Sequence, residues 1–169
     1  MSENGNKKVT LPLQRIVDLY LFLGSFAPAD LGDLASVRKT SNALEQMEKV
    51  AKAYISKTQV IADKVNNLFA PYRQKLQDVN KQITESQDPE QKKHLELLKT
   101  TIESEANALA QPLNEELKTL GDTEGLKKTT IEFNHENFSQ VVKLFKDEGV
   151  KRFRVMAPCL EIADALEIE

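Results

Sequence analysis

The sequence predicts a mainly α fold: a long antiparallel coiled-coil hairpin on a small α/β base formed by the N- and C-terminal segments. Three observations predict it. From Leu44 the apolar or near-apolar positions run Leu44, Met47, Ala51, Tyr54, Thr58, Ile61, Val65, Leu68, Tyr72, Leu76, Val79, Ile83, in steps of three and four. That is a coiled-coil seam. A second seam follows at Leu95, Leu98, Ile102, Ala106, Leu109, Leu113, Leu117 and Leu120. Between them, Ser86-Gln87-Asp88-Pro89-Glu90-Gln91 is a turn, with Asp88 as N-cap, Pro89 in the first helical position and Gln91 completing a capping box. Neither seam can stay wet, so the two helices fold back on each other.

Each element follows in order. Lys8 to Leu11 reads as a short strand, and Pro12 fits the first turn of a helix. That helix, Leu13 to Leu23, is apolar on most sides, which marks it as buried. Gly24-Ser25 ends it. Phe26 to Gly32 is a loop with Pro28 and Gly32 as breakers. Asp33 caps the long helix, which runs to about Gln87. Pro71 lies inside its seam and is expected to kink it rather than break it. The return helix runs from Pro89 to about Leu120 and carries Pro112. Gly121 to Gly125 closes it.

The last segment changes character. Thr129 to Phe133 alternates and is rich in β-branched residues, a strand signal. Asn134 or Asn137 caps a helix carrying Phe138, Val141, Val142, Leu144 and Phe145, which Gly149 stops. Val150 to Met156 reads as a second strand, and Pro158 opens a last short helix. The domain division is therefore 1–33 as strand and apolar helix of the base, 34–121 as hairpin with its turn near 87–89, and 122–169 as a βαβα segment completing the base. The two ends also echo each other. Lys7-Lys8-Val9-Thr10-Leu11 leads to an apolar helix and Gly24, and Lys127-Lys128-Thr129-Thr130-Ile131 leads to another and Gly149, with five more residues between strand and helix in the second copy.

Composition narrows the function classes. Hydrophobic residues make up 40% and charged residues 29%, which suits a folded, helix-rich chain. The net charge of −3 is spread, so there is no electrostatic case for nucleic acid or an anionic membrane. Aromatics are 6% and Trp is absent, which argues against a broad aromatic pocket. A single cysteine, Cys159, permits no intramolecular disulfide. Met1 to Lys8 lacks the apolar core of a secretory signal. The longest near-apolar run, Ile16 to Ala27, spans about 12 residues where a bilayer needs about 20. The chain reads as soluble and intracellular at synthesis.

Chemistry-bearing motifs are sparse. Glu90 and His94 share a helix face, but no second ligand pair exists, so His94 reads as an exposed tip residue. His135 reads as a surface or capping residue. Cys159, beside Leu160 and Ile162, reads as a small core residue rather than a nucleophile. There is no Walker loop, dinucleotide turn or nucleophile elbow. Lys143, Lys146, Lys151, Arg152 and Arg154 form the only basic concentration, offset by Asp147 and Glu148. The chain therefore reads as non-enzymatic, with no catalytic residue, no cofactor, no metal and no small-molecule substrate.

The N-terminal strand with a helix ending Leu21-Phe22-Leu23, then Ala35-Ser36-Val37-Arg38 opening a long polar helix, and the final Cys159-Leu160-Glu161-Ile162-Ala163-Asp164-Ala165-Leu166-Glu167, together resemble a family of small proteins encoded by tailed bacteriophages. The match departs where Val37 separates Ser36 from Arg38. The family carries no established activity. The resemblance implies a phage gene product that works by binding, in the host cytoplasm at synthesis or in the virion. The residue reading points the same way: a structural or assembly protein acting through the hairpin and an apolar base. The alternatives are an inhibitor or adaptor of a host protein, and a prefoldin-like holdase, against which the polar tip Gln82 to Lys93 counts. The lower long helix extends beyond the return helix, and the first helix is apolar nearly all round. Tyr20, Phe22, Leu44, Met47 and Tyr54 are therefore the expected interface for a protein partner or for self-association.

Overall fold

The computed structural model describes residues 5–149 and 153–168. Its elements are β1 (Asn6–Pro12), α1 (Leu13–Leu23), a 3-10 turn (Pro28–Leu31), α2 (Leu34–Glu85), α3 (Pro89–Leu120), a π turn (Gly121–Gly125), β2 (Lys128–Asn134), α4 (His135–Asp147) and α5 (Phe153–Leu166). The fold is mainly α, with a long helical hairpin and one two-stranded antiparallel sheet. Two compact units result, residues 57–120 and residues 1–56 with 121–169. The division falls inside α2 at Ser56, not at the start of that helix. Leu34 to Ser56 pack with the termini.

In the hairpin unit, Val79, Leu95 and Ile102 form a dry cluster, with Tyr72, Leu76 and Ile83 packed against it. All first-seam positions are buried or half-buried. The second seam is narrower than its heptads suggest. Leu95, Ile102, Ala106 and Ala110 are buried, while Leu98, Leu109 and Leu117 are exposed. A single facing helix covers only a thin stripe of α3, and the flanking leucines remain outside it. Half-buried Lys99 thus lies closer to the seam than Leu98. Both internal prolines are accommodated without a break, since α2 runs through Pro71 and α3 through Pro112, each on an exposed face where the orphaned carbonyl meets water.

The turn is capped, though not as a reciprocal box. Asp88 Oδ1 accepts from the Glu90 N–H at 3.0 Å, and the Ser86 hydroxyl donates to Gln91 Oε1 at 2.7 Å. The Asp88 N–H donates to Ser86 Oγ at 3.3 Å. Ser86 thus stands between the two groups that a capping box would join directly.

The other unit is built on the β1–β2 pair, in register from Asn6↔Asn134 to Pro12↔Lys128. Val9, Leu11, Ile131 and Phe133 point into the core, while Thr10 and Thr130 hydrogen-bond across the outer face at 2.8 Å. Asn134 caps α4 by accepting from the Asn137 N–H at 3.2 Å, and Gly149 follows in the left-handed region at φ 58°. The expected strand at Val150 to Met156 is helical from Phe153. Val150 to Arg152 lie outside the described residues. Val155, Cys159, Ile162, Ala163 and Leu166 are buried at helical spacing, so the apolar face of α5 overrides the local alternation. Pro158 sits within this helix and does not open it.

The echo between the chain ends is a structural repeat, at one offset through the strand and first helix and at a second, shorter one in the helix that follows. The five extra residues disappear when the strands are aligned by their ends. Pro12 then matches Asn134, Val9 matches Ile131 and Leu11 matches Phe133, with the same buried positions in each strand. Val9 pairs with its own counterpart, and the strand ends pair crosswise, which is a local two-fold. The same offset aligns Ile16 with Phe138, Leu19 with Val141 and Leu23 with Phe145, all buried. In the next helices Thr40, Ala43, Met47 and Ala51 on α2 match Val155, Pro158, Ile162 and Leu166 on α5, again all buried. The unit is thus a βαα motif occurring twice, and the hairpin is an extension of α2 in the first copy.

The copies interlock. Helix α1 packs on α5, Arg15 pairs with Glu161, Lys39 with Glu136 at 3.6 Å, and Lys7 with Glu167 at 2.8 Å. These pairs are substantially exposed and stabilise little, so the shared core and sheet hold the copies together. The repeat also exposes a defect. Thr40 is fully buried and its hydroxyl has no hydrogen-bond partner, while its counterpart is Val155. Thr40→Val is therefore expected to stabilise the protein by about 1–2 kcal/mol, read as a raised midpoint in urea.

Candidate functional site

The expected base interface is largely interior. Met47 is fully buried and Tyr54 is 5% exposed, while Tyr20, Phe22 and Leu44 are half-buried against the same core. Phe22 stacks edge-on to Phe145 at 5.4 Å and to Phe26 at 5.2 Å. The sequence reading found no cover for these side chains because it missed how closely two interlocked βαα copies close over one core. Met47 and Tyr54 are thus interior and do not form a partner surface, while Tyr20, Phe22 and Leu44 keep part of their surface exposed.

Tyr54 has a defined structural place. Its hydroxyl donates to Gln14 Oε1 at 2.7 Å, and Gln14 Nε2 donates to Asp18 Oδ1 at 2.8 Å. Burial first, then the negative charges of Asp18 and Glu124, push the phenol above its ordinary pKa of 10.0. The phenol therefore stays a donor at neutral pH. The π turn supplies Gly125 directly beneath it, where a Cβ would stand 2.9 Å from the Tyr54 hydroxyl.

Two adjoining openings lie beside α4. An apolar cavity of about 290 Å³ lies between α4 and α5, walled by Val142, Phe145, Met156, Cys159 and Leu160, with Lys146 and Gly149 also lining it. It shares Val142 and Lys146 with a more polar cavity of about 470 Å³ lined by His135, Ser139, Lys143, Asp147, Glu167 and Ile168. Cys159 is buried, and burial pushes its thiol up to about 12. At neutral pH it is a protonated wall residue. His94 is exposed on α3 and His135 is half-buried at the start of α4. Among the described residues no group of three or more His, Cys, Asp or Glu side chains could hold a metal, and no helix is long and apolar enough to cross a membrane.

The hairpin unit presents the other surface. Val60, Leu97, Leu98, Leu109 and Leu117 are exposed there, Leu98 at 41% and Leu109 at 53%. The sequence counted Leu98 and Leu109 as seam, so their availability was not legible from the heptads. The α4–α5 cavity was missed as well. Comparison with family models, with curated proteins and with solved structures finds no match.

Proposed function

We propose that the protein is a non-enzymatic interaction protein, a phage structural or assembly component that works through the helical hairpin. The carrying observation is the pair Leu98 and Leu109, exposed large apolar side chains about three helical turns apart on one line of α3. Apolar side chains held in water along one line support a protein partner. The phage setting rests on the family resemblance. The base contributes less than its apolar composition suggests, because its apolar residues are largely spent on its own core.

The test is size-exclusion chromatography with light scattering on the wild type and on Leu98→Glu/Leu109→Glu. Both positions are exposed, so the double variant keeps its thermal stability to within about 1 kcal/mol. The expected result is a wild-type oligomer that falls to a monomer in the variant. A wild-type monomer at all concentrations would overturn self-assembly. It would favour the host-directed inhibitor or adaptor, to be sought by capture from host lysate.

A further inference from the structure

The two-stranded sheet leaves each strand with one edge that no further strand covers among the described residues. The Leu13 N–H donates to the Lys127 carbonyl at 3.0 Å, and this bond fixes the phase of the ladder. Lys7, Val9 and Leu11 then exchange hydrogen bonds with Phe133, Ile131 and Thr129, while Lys128, Thr130 and Glu132 aim their N–H and C=O groups away from β1. Among the described residues those outward groups have no backbone partner. The side chains of Lys128, Thr130 and Glu132 are exposed on the outer face, where Thr130 bonds to Thr10. Helix α2 stands off from this strand across a cavity of about 320 Å³, lined by Gln46, Lys49 and Val50 with Thr130, Ile131 and Glu132. An exposed edge of this kind is a template for another strand.

We propose that β2 pairs with β2 of a second copy of this chain, antiparallel about a two-fold axis at Thr130, making one four-stranded sheet in the order β1-β2-β2-β1. The occupant is a second copy because this edge is complementary to itself. The outward groups belong to Lys128, Thr130 and Glu132, so these residues must oppose one another across the new contact. Centring the pair on Thr130 sets Thr130 against Thr130 and Lys128 against Glu132 in both directions. That gives two cross-strand pairs of opposite charge and continues the Thr10–Thr130 contact as a row of four threonines. Centring on Thr129 or Ile131 also aligns the outward groups, but it sets no opposite charges against each other. Among the described residues neither Lys128 nor Glu132 makes an ion pair, so both charges are available. The β1 edge offers no such match, since Asn6–Pro12 carries Lys7 and Lys8 and no acid. Pairing β1 of one copy with β2 of the next would run on as a filament, whereas the two-fold closes at two copies. The contact is small, so it forms at high local concentration, as within an assembly. It does not depend on the exposed leucines of the hairpin, so failure of either reading leaves the other standing.

The experiment uses the full-length chain carrying Leu98→Glu/Leu109→Glu, so that the hairpin leucines contribute nothing. Thr130→Cys in that chain is oxidised with copper–phenanthroline at millimolar protein and read on a non-reducing gel. Opposed Cα atoms of a hydrogen-bonded pair stand about 5.5 Å apart, a separation that a disulfide spans. Native Cys159 is buried and protonated, so it does not compete. The expected result is a covalent dimer for Thr130→Cys, none for Lys128→Cys alone, and a dimer again when Lys128→Cys and Glu132→Cys are mixed. Lys128→Glu and Glu132→Lys, each added to Thr130→Cys, should slow the cross-link about tenfold, because both charge pairs become repulsive. An equimolar mixture of those two chains restores opposite charges at both pairs and should recover the rate. All three positions are exposed, so the variants keep their fold, which circular dichroism checks. A folded Thr130→Cys chain that stays monomeric would overturn the proposal. So would a Lys128→Cys self-cross-link as fast as that of Thr130→Cys, the mark of random collision, or charge variants that leave the rate unchanged.

Discussion

Phe138→Ala is expected to cost about 3–5 kcal/mol, most of the stability of a unit this size. Phe138 is fully buried and meets Phe133 edge-on at 5.1 Å, so truncation removes the apolar burial, the ring pair and the fill of the space between β2 and α4. Its counterpart Ile16 is buried to 1% in the same position of the first copy, and Ile16→Ala should fall in the same class at about 2–5 kcal/mol. Urea denaturation followed by circular dichroism checks both. A loss below about 1 kcal/mol at Phe138 would mean that α4 is not packed as described.

Gly125→Ala carries the second large effect, and its cause can be isolated. A Cβ at Gly125 would meet the Tyr54 hydroxyl at 2.9 Å and Gln14 Oε1 at 3.3 Å. The Tyr54–Gln14–Asp18 chain must then shift, at an expected cost of about 2–3 kcal/mol. Tyr54→Phe alone loses one hydrogen bond, about 1 kcal/mol, and also removes the atom that the Cβ would strike. The double variant should therefore be close to Tyr54→Phe alone, a coupling of about 2–3 kcal/mol in a double-mutant cycle. Additive losses would show that Gly125 is required for the backbone of the π turn and not for the space under Tyr54. The phenol also gives a pH signature. Its pKa is raised in the fold, so the unfolded chain ionises first and stability falls as pH rises from about 10. Tyr54→Phe should remove that part of the alkaline loss.

Local chemistry was legible wherever neighbouring residues decide the outcome. β1 and β2, the bounds of α1, the bend at Asp88 and Pro89, the cap at Asn134 and the stop at Gly149 all rest on side chains that act within a few residues of themselves. The heptads of α2 were legible because every position of that seam finds cover, first from α3 and then from the termini. The part of the expected strand from Phe153 to Met156 is helical for the opposite reason. Short-range alternation there is outweighed by the helical spacing of Val155, Cys159, Ile162 and Leu166, whose apolar face has α1 and α4 to pack against.

What only the tertiary structure decided is how apolar positions divide between interior and surface. Periodicity states which residues share a face, and it does not state how much of that face a neighbour covers. Met47 passes inside because a second βαα copy closes over the first, paired strand to strand at Val9 and Ile131, and Tyr54 because α1 and the π turn meet its ring end. Leu98 and Leu109 stay outside because one facing helix covers a stripe narrower than the heptad pattern. The amino-acid sequence by itself determined the helices, the turn and the echo between the chain ends. Burial depends on residues far apart in the chain, and their packing settled which surfaces remain for a partner.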